Sequence, residues 1–567
     1  MALRAPWLKN YGKIPFELDY PDCTMCDRVY EMAEKYPSNI ALSYMGRNIK
    51  YSLLKEKIEE TAKAFYALGV RKGDRVTLCL PNVPQVIYML YALNRIGAVA
   101  SMIHPLSAVG EIVFYLKEVE SKYAVTLDQF YPKFTEVLTQ VSLKKLVITS
   151  AGDELAPLKK LGFALTAGRK NPAVPESENV MKWKTFVKGA SSVKDGYACT
   201  MDKNDAAVIL FSGGTTGTTK AIQLSNYNFN ALGLQTEAMS SYKVPGLSML
   251  AAMPVFHGFG LGVCIHTMLM NGGKSILVPR FNVKDYAKLI KTKKPNFMAG
   301  VPTLFEALTR DDTLNGVKLD FLRGVFSGGD SLSIELKKKF DKFLDDHGSP
   351  VHIREGYGTT ECVTASCLTP YHMYREGSIG FPYPDTYYTI CVPGTTEEVD
   401  YGTDGEICLS GPTVMLGYLN KPEENASTLR THPDGRVWLH TGDLGYMDEE
   451  GFIYFKQRIK RMIITSGYNV YPSQIENIVD SHSSVQMSCA IGVKDDYKMQ
   501  KIKVFAVLKE GYTPSEELKK DILSYCSKHI AKYAMPYDIE FRTELPKTLV
   551  GKIAYTVLEK EENEKIS

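Results

Sequence analysis

An apolar segment in the middle of the chain leads directly into a glycine- and hydroxyl-rich loop. Residues 206–211 read Ala-Ala-Val-Ile-Leu-Phe, and residues 212–220 read Ser-Gly-Gly-Thr-Thr-Gly-Thr-Thr-Lys. The apolar segment predicts a buried strand. The loop favours polyphosphate binding, because glycines let backbone N–H groups approach an anion, threonines offer hydroxyl donors and Lys220 supplies a positive charge. Its spacing is not the G-x-x-x-x-G-K-S/T of a P-loop, and a flexible surface turn is the alternative interpretation.

The first 300 residues alternate between helix and strand patterns. Ser52 can cap a helix with apolar residues at helical spacing, and Gly69 is placed to end it. A buried strand is predicted at 76–80, a second helix at 86–96 and another strand at 98–103. This alternation predicts an α/β domain with layered, substantially parallel sheets and helices. Ligands of such sheets gather where the strands end, which is where the glycine-rich loop lies.

A change of pattern near residue 460 predicts a domain boundary. We assign residues 1–459 to a large N-terminal domain and residues 460–567 to a small α+β C-terminal domain, which is long enough to fold as a unit. The elements predicted there are strands at 487–493 and 503–508, and a helix that begins at the capping box Thr513-Pro514-Ser515-Glu516 and runs toward Tyr533.

Four further segments follow the glycine-rich loop in order. They are Tyr357-Gly358-Thr359-Thr360-Glu361, downstream of Ser327-Gly328-Gly329-Asp330; Thr441-Gly442-Asp443, before a hairpin pattern at 446–454; Arg458-Ile459-Lys460, before residues 463–472; and Pro546-Lys547-Thr548-Leu549-Val550-Gly551-Lys552. Together with the loop, they resemble the adenylate-forming superfamily of acyl-CoA synthetases, peptide-synthetase adenylation domains and luciferases. The resemblance extends from about Asp22 to Lys552.

The resemblance implies a reaction in two steps. ATP first converts a carboxylic acid to acyl-AMP and pyrophosphate, which makes AMP the leaving group in place of hydroxide or oxide; acyl-AMP then reacts with CoA. The C-terminal domain is expected to be a mobile lid that turns about a hinge at Lys460. One orientation presents Lys552 for adenylation, and the other presents a face that includes Gly467, which leaves space for the pantetheine arm of CoA.

The resemblance also assigns residues to roles. Lys552, His257 and Glu361 are the candidate catalytic residues, and Glu361 and Thr216 are the candidate Mg²⁺ ligands. Asp443 and Arg458 are expected at the ribose, the ring of Tyr357 at the adenine and the hydroxyl of Thr360 at the α-phosphate. The complete set assigned to ATP and CoA is Ser212, Gly213, Gly214, Thr215, Thr216, Gly217, Thr219, Lys220, Gly328, Gly329, Asp330, Tyr357, Gly358, Thr359, Thr360, Asp443, Arg458, Lys460 and Gly467.

Several of these residues also have a purely structural interpretation. A histidine among apolar residues, such as His257, is commonly a satisfied core residue, and Thr-Gly-Asp is commonly just a turn. Glu361 could be a surface carboxylate and Lys552 a solvated lysine.

The sequence also departs from the usual pattern of the superfamily. Thr219 and Ala221 flank Lys220 where Pro and Gly are common, and Gln457 precedes Arg458 where Gly or Asp is usual.

The surroundings of His257 bear on the acid. Gly258, Gly260 and Gly262 suggest room beside it, and a roomy apolar channel suits an alkyl chain or a large ring system better than acetate. The segment around residues 82–106 also looks more like fatty-acid and aryl-acid CoA ligases than acetyl-CoA synthetases.

The composition of the chain limits which classes of partner are expected. The formal net charge of the 567-residue chain is only +3, which gives no indication of nucleic-acid binding. Its eleven cysteines form no evident framework, and Cys23 and Cys26 are interpreted as incidental reduced thiols rather than a metal or redox pair.

No signal peptide or membrane span is predicted, since charge and Pro interrupt the N-terminal segment and Asn94 and Arg95 interrupt the most apolar stretch. A cytoplasmic location without stable membrane insertion is expected.

The leading hypothesis is an acyl-CoA ligase that uses ATP, Mg²⁺, CoA and a medium- or long-chain fatty acid. Aryl and bile acids are alternative substrates, and a separate carrier protein is an alternative acceptor. A non-enzymatic alternative is a degenerate homologue that senses acyl or adenylate ligands. Retention of the candidate cations and carboxylates argues against it.

Overall fold

The structure of the chain is a computed structural model. It describes residues 4–166, 168–211, 219–280, 282–465, 468–495, 498–548 and 552–566.

Helices and strands alternate over most of this length. The α-helices are α1 Met25–Lys35, α2 Tyr51–Ala67, α3 Pro84–Arg95, α4 Val109–Glu118, α5 Tyr131–Val137, α6 Pro157–Leu165, α7 Trp183–Lys188, α8 Asn226–Ser240, α9 Thr267–Met270, α10 Val283–Lys293, α11 Pro302–Leu308, α12 Ile334–Asp346, α13 Pro422–Thr428, α14 Pro472–Asp480, α15 Glu516–Ser527 and α16 Tyr555–Ile566. A π-helix at Phe259–His266 precedes α9, and a 3-10 turn at Ile459–Arg461 follows the last strand of the large domain.

Most of the strands are short, and the long ones among those described are Val437–Met447, Val485–Asp495 and Met499–Leu508. They are β1 Ile40–Tyr44, β2 Arg47–Lys50, β3 Arg75–Cys79, β4 Val99–Met102, β5 Tyr123–Leu127, β6 Lys145–Thr149, β7 Val180–Lys182, β8 Ala206–Phe211, β9 Ala221–Ser225, β10 Ser248–Ala251, β11 Lys274–Leu277, β12 Phe297–Gly300, β13 Gly324–Ser327, β14 Ile353–Tyr357, β15 Cys367–Leu368, β16 Phe381–Pro382, β17 Tyr387–Cys391, β18 Gly405–Ser410, β19 Gly417–Tyr418, β20 Leu429–Thr431, β21 Val437–Met447, β22 Ile453–Arg458, β23 Ile463–Thr465, β24 Tyr468–Val470, β25 Val485–Asp495, β26 Met499–Leu508 and β27 Asp538–Arg542.

Two large sheets form the body of the N-terminal domain. Sheet I has the order β16-β15-β14-β13-β12-β10-β11-β1-β2, and sheet II has the order β19-β9-β8-β4-β3-β5-β6-β7. The strands between β14 and β1, and between β8 and β7, are parallel to their neighbours. Helix α3 is mostly apolar and is buried on nearly every side, as expected for a helix inside a core. The predicted α/β class with substantially parallel sheets is confirmed.

The predicted elements of this domain are present with small shifts. The strand predicted at 206–211 matches β8, and the helix and strands predicted between 76 and 103 match β3, α3 and β4. Gly69 lies just past α2 with φ +98°, a conformation that favours glycine and ends the helix. The assignment of Ser52 as the cap of α2 is wrong: the N-cap is Lys50, and Ser52 lies inside the first turn.

The sequence did not predict the third sheet. Sheet III is antiparallel, with the order β17-β18-β21-β20 and β22 paired to β21. Only its β21–β22 hairpin was predicted, and that prediction is confirmed: Tyr446 pairs with Tyr454, and their rings stack 4.5 Å apart.

The C-terminal part contains sheet IV and its helices. Sheet IV has the order β24-β23-β26-β25, with β27 parallel to β26. Its apolar side chains form two clusters that are drawn wholly from residues 463–558. The smaller α+β domain predicted here is confirmed, but its capping box is wrong. Ser515 alone caps α15 by accepting the N–H of Leu518, and the helix ends at Ser527 rather than near Tyr533.

Among the described residues, no helix is both long and apolar enough to cross a membrane.

The turn between β21 and β22 yields a stability prediction. Gly451 has φ +91°, and a Cβ atom there would lie 2.4 Å from the backbone nitrogen of the fully buried Trp7. Gly435 has φ +80° with nothing within 4 Å of that position. Gly435→Ala should therefore cost only the backbone strain, about 1–3 kcal/mol. Gly451→Ala should lower the thermal unfolding midpoint clearly more than Gly435→Ala does, because the added Cβ atom would also clash with Trp7. Equal shifts of the two midpoints would show that the Trp7 contact does not constrain this turn.

Candidate active site

The candidate site lies where strands of sheets I and II end and sheet III meets them. Tyr357 is the last residue of β14, Asp443 lies in β21, and Arg458 is the last residue of β22. Asp443 and Arg458 are direct cross-strand partners in the β21–β22 hairpin. The hairpin therefore holds an opposite charge beside Asp443, and β14 brings Tyr357 to both.

Asp443 is the centre of this group. Its carboxylate is 1 % exposed, and the hydroxyl of Tyr357 donates to Oδ2 at 2.6 Å. Oδ1 lies 2.9 Å from Nε of Arg458 in an ion pair but accepts no hydrogen bond within the part of the chain that the structure describes. A buried oxygen in this state is costly, so Oδ1 is suited to accept hydrogen bonds from a ligand's hydroxyl groups.

The charge state of Asp443 depends on its neighbours. Burial raises the pKa of the Asp443 carboxyl, whereas the positive charge of Arg458 and the hydrogen bond from Tyr357 act to lower it. The two partners thus favour the ionised form, which is the form that can accept two hydrogen bonds.

A second group connects the end of the glycine-rich loop with Glu361. The ammonium of Lys220 lies over the ring of Tyr418, 4.5 Å from the ring centroid. The hydroxyl of Tyr418 donates to Oε1 of Glu361 at 2.9 Å. One tyrosine therefore holds together the loop's cation and the half-buried carboxylate predicted to bind Mg²⁺.

Lys552 comes from the C-terminal domain and reaches this site. Thr548 holds its backbone from both sides: Lys552 N–H donates to Thr548 Oγ1 at 3.1 Å, and Thr548 N–H donates to Lys552 O at 2.7 Å. A Cβ atom at Gly329 would lie 3.7 Å from Lys552 Cε, so the side chain passes directly over that glycine.

The electrostatics of Lys552 reflect the site's charges. Burial lowers the pKa of its ammonium, and the charge of Asp330 is the largest influence in the opposite direction. Asp443 and Glu361 also favour its protonated form, whereas Arg458 disfavours it.

His257 lies between β10 and the π-helix. The N–H of Phe259 points to its Nδ1 at 3.3 Å. Burial, with a smaller contribution from the charge of Lys552, lowers the pKa of the imidazole to about 3. His257 is therefore neutral at physiological pH and can offer a hydrogen bond without adding charge.

The glycines after His257 do not provide the room expected from the sequence. A Cβ atom at Gly258, Gly260 or Gly262 would lie 2.1 Å from Thr364 Oγ1, 2.1 Å from Pro254 O and 2.5 Å from Leu232 Cδ2, respectively. The expectation of open space is wrong at these positions. The glycines instead allow the π-helix to pack closely on its neighbours.

The remaining predicted residues fall into three groups. Gly328, Gly329 and Asp330 follow β13, while Gly358, Thr359 and Thr360 follow β14. Thr359 is buried, with its hydroxyl 3.9 Å from the sulfur of Cys362, so it faces protein. Thr219 and the backbone of Lys460 are described. Ser212, Gly213, Gly214, Thr215, Thr216, Gly217 and Gly467 lie outside the described residues.

Tyr418 was missed in the sequence analysis. It lies in the two-residue strand β19, which pairs with β9 directly after the glycine-rich loop. The pairing of Tyr418 with Ile222 is what places the ring beside Lys220. No local pattern marks such a tyrosine, since its partners are distant in sequence.

Comparison with known proteins gives the family. A model of the AMP-binding enzyme family matches residues 29–419, and a model of the AMP-binding enzyme C-terminal domain matches residues 474–552. The chain belongs to the AMP-binding enzyme family. The resemblance to adenylate-forming enzymes that the sequence motifs indicate is thereby confirmed.

Relatives within the family align along their whole length. A long-chain-fatty-acid–CoA ligase of Bacillus subtilis (strain 168) is 33% identical over 100% of this chain and 99% of the relative. A protein of the same name from Salmonella typhimurium is 31% identical with the same coverage. A probable 4-coumarate–CoA ligase 1 of Dictyostelium discoideum is 29% identical over 88% of this chain and 87% of its own length.

Solved structures show the same fold. The anthranilate CoA ligase AuaEII in complex with anthranoyl-AMP aligns with a TM-score of 0.82 and 22% identity, covering 98% of this chain and 99% of its own. ATP-bound MatB from Rhodopseudomonas palustris aligns with a TM-score of 0.79 and 24% identity, covering 96% and 100%.

The Asp443 group leads to a pH prediction. Arg458→Gln removes the charge that lowers the pKa of Asp443, so this pKa should rise further above its ordinary value. The carboxylate accepts hydrogen bonds from two hydroxyls only when it is ionised. The acid limb of the pH profile of kcat/KM for ATP should therefore shift to higher pH. Tyr357→Phe should move the acid limb in the same direction by less, since its hydrogen bond is the smaller influence.

The measurement is the pH profile of ATP–pyrophosphate exchange for each variant. Arg71→Gln serves as the control. Arg71 precedes the amino end of β3 in sheet II, whereas the candidate site lies where strands end. An acid limb that stays in place in Arg458→Gln would contradict the role given to this ion pair.

Proposed function

We propose that this chain is an ATP-dependent, AMP-forming acyl-CoA ligase that activates long-chain fatty acids. The enzyme class, an AMP-forming acyl-CoA synthetase, was predicted from the motifs and is confirmed by the family and its full-length relatives. The observation that carries the proposal is the arrival of Lys552 beside Gly329, among the carboxylates and cations of the large domain. The long-chain acid rests on the names of the relatives.

The ribose of ATP is proposed to bind Asp443. Oδ1, which is ion-paired with Arg458 but accepts no hydrogen bond among the described residues, can accept a hydrogen bond from one ribose hydroxyl, and Oδ2 can accept one from the other hydroxyl in addition to that from Tyr357. The positive charge of Arg458 acts to lower the pKa of the carboxyl and so favours the ionised form that this task requires. The ring of Tyr357 and Gly358 then offer a flat surface for the adenine.

The phosphates are proposed to lie between Lys220, Glu361 and Lys552. Lys220 is held by the ring of Tyr418, and Glu361 by its hydroxyl, so both are placed before ATP arrives. Glu361 supplies the hard carboxylate oxygen that Mg²⁺ prefers, with Thr216 as the second proposed ligand. When bound, Mg²⁺ would neutralise charge on the phosphate oxygens.

Lys552 is proposed as the residue that promotes adenylation. The fatty acid's carboxylate oxygen attacks the α-phosphorus, and pyrophosphate leaves with the bond's electron pair. Both reactants are negatively charged, so a cation between them reduces their electrostatic repulsion. The same cation compensates part of the negative charge of the transition state. His257, being neutral, can orient the carboxylate without competing for this charge.

The second half-reaction is proposed to need a different orientation of the C-terminal domain, defined as residues 460–567. The boundary at Lys460 agrees with the apolar clusters, which contain no residue before 463. Lys460 lies in the 3-10 turn directly after β22, where a change of φ and ψ would swing Lys552 away. Gly467 is proposed to face CoA in that orientation, and free CoA rather than a carrier protein is the proposed acceptor.

Separate half-reactions test the role of Lys552. Lys552→Ala should slow acyl-AMP formation by about 10²–10³-fold, the typical cost of one lost charge-stabilising contact. Conversion of supplied acyl-AMP to acyl-CoA should change much less, because Lys552 is expected to be elsewhere in that step. Lys547→Ala, an exposed lysine of the same loop, is the matched control. Equal losses in both half-reactions would contradict this division.

A panel of carboxylic acids tests which acid the enzyme activates. ATP–pyrophosphate exchange and thioester formation on free CoA should both be fastest with long-chain fatty acids and slow with acetate, bile acids and coumarate. A preference for an aryl acid or a bile acid would overturn the substrate but keep the enzyme class. Exchange without any thioester on CoA would indicate a carrier-protein acceptor, and no exchange with any acid would favour an acyl or adenylate sensor.

A further inference from the structure

Four potential metal ligands lie in or directly beside neighbouring strands of sheet III. Cys391 ends β17, Cys408 lies in β18, His440 lies in β21, and His432 directly follows β20. The order of these strands in the sheet is β17-β18-β21-β20, so β17, β18 and β21 contribute one residue each and the turn after β20 contributes the fourth. In the sequence the cysteines are scattered, because strand pairing is what brings these residues together.

The register places them on one face of the sheet. Cys408 is directly opposite His440 on one side and Thr389 on the other. Cys391 lies two residues beyond Thr389, so its side chain is on the same face. His432 enters from the turn between β20 and β21, where its ring stacks on Trp438 at 5.2 Å. Both cysteines are 0 % exposed and both histidines 6 %, so the group is fully enclosed by protein.

Their ligand atoms form two overlapping groups of three. Among the described residues, the atoms of Cys391, Cys408 and His432 all lie within 4.8 Å of one another, as do those of Glu406, Cys408 and His440. His440 connects the two sets: its Nδ1 is 3.4 Å from Cys408 Sγ, and its Nε2 is 3.0 Å from Nε2 of His432. Zinc–sulfur and zinc–nitrogen bonds of about 2.3 and 2.0 Å place tetrahedral ligands roughly 3.3–3.8 Å apart.

Glu406 completes the arrangement as a second partner of His440. Its Oε2 lies 3.0 Å from Nδ1 of His440, and its Oε1 accepts the N–H of Gly442 at 3.0 Å. A metal-bound histidine usually donates its other ring N–H to a carboxylate, which fixes the tautomer. This contact leaves Nε2 of His440, the nitrogen that faces His432, available for a metal.

We propose that Cys391, Cys408, His432 and His440 bind one Zn²⁺ ion. Binding replaces the thiol protons of the two cysteines with zinc–sulfur bonds, and those protons pass to solvent. Two thiolates and two imidazoles select zinc over Mg²⁺, which prefers oxygen. For all four residues to bind one ion, the His440 ring must turn so that its Nε2, which already lies 3.0 Å from Nε2 of His432, reaches the position shared by the other three ligands.

The site would have a structural role with a link to the ribose carboxylate. His440 immediately precedes Thr441-Gly442-Asp443, and Glu406 holds both His440 and the backbone of Gly442. Zinc would tie β17, β18, β20 and β21 together and so fix the turn that presents Asp443. The proposal does not depend on which acid the enzyme activates.

Metal analysis of the full-length protein tests this directly. Protein produced with added Zn²⁺ and then dialysed should retain about one zinc per chain. Cys391→Ser and Cys408→Ser should each retain less than about a tenth of that amount. Cys526→Ser, which alters a buried cysteine in α15, should retain zinc like the wild type. Wild-type protein without stoichiometric zinc, or cysteine variants that keep it, would overturn the proposal in favour of a hydrogen-bonded Cys–His–Glu network.

Cobalt substitution supplies a readout that does not require the variants to fold. Wild-type protein loaded with Co²⁺ should show intense tetrahedral d–d bands and a thiolate-to-metal charge-transfer band. X-ray absorption of the zinc form should give both sulfur and nitrogen ligands, at about 2.3 and 2.0 Å. A spectrum of six oxygen or nitrogen ligands, without sulfur, would also overturn the site. Removal of the metal by a chelator should lower the thermal unfolding midpoint of the wild type.

Discussion

A single buried carboxylate connects the three parts of this enzyme's candidate site. Asp443 is almost wholly enclosed and lies between the end of a sheet I strand, which supplies Tyr357, and the last strand before the C-terminal domain, which supplies Arg458. A buried charge is tolerated only when it is compensated, so these elements must meet at this point. The compensation is incomplete, because Oδ1 accepts no hydrogen bond among the described residues. That deficiency is what a nucleotide can satisfy.

The other charged groups are arranged around the same point. Lys220 and Glu361 are held by one tyrosine, and the backbone of Lys552 is held by hydrogen bonds with Thr548. A cation from the C-terminal domain thus lies within the electrostatic influence of three large-domain carboxylates, those of Asp330, Asp443 and Glu361. A cation delivered by a separate domain can also be withdrawn, which gives a physical basis for two half-reactions at one site.

Much of this was predictable from the sequence, and the failures have identifiable causes. The alternation of helices and strands and the Tyr446–Tyr454 hairpin depend on local patterns, and both were found. Tyr418 and the Cys391–Cys408–His432–His440 cluster depend on strand pairing between distant segments, which no local pattern encodes. The glycines after His257 were misread because glycine marks both open space and very close packing. The cap of α2 was misplaced because Ser52 has capping chemistry but lies two residues beyond the N-cap, Lys50.

The central claim is that Asp443 holds the ribose, and equilibrium binding of a non-reactive acyl-sulfamate analogue of acyl-AMP tests it most directly. The wild type should bind the ribose form about 10²-fold or more tightly than the 2′,3′-dideoxy form, since hydrogen bonds to a charged group each contribute roughly 1.5–3 kcal/mol. Asp443→Asn, which keeps the shape but removes the charge, should reduce that preference at least tenfold. An unchanged preference in the variant would contradict the account.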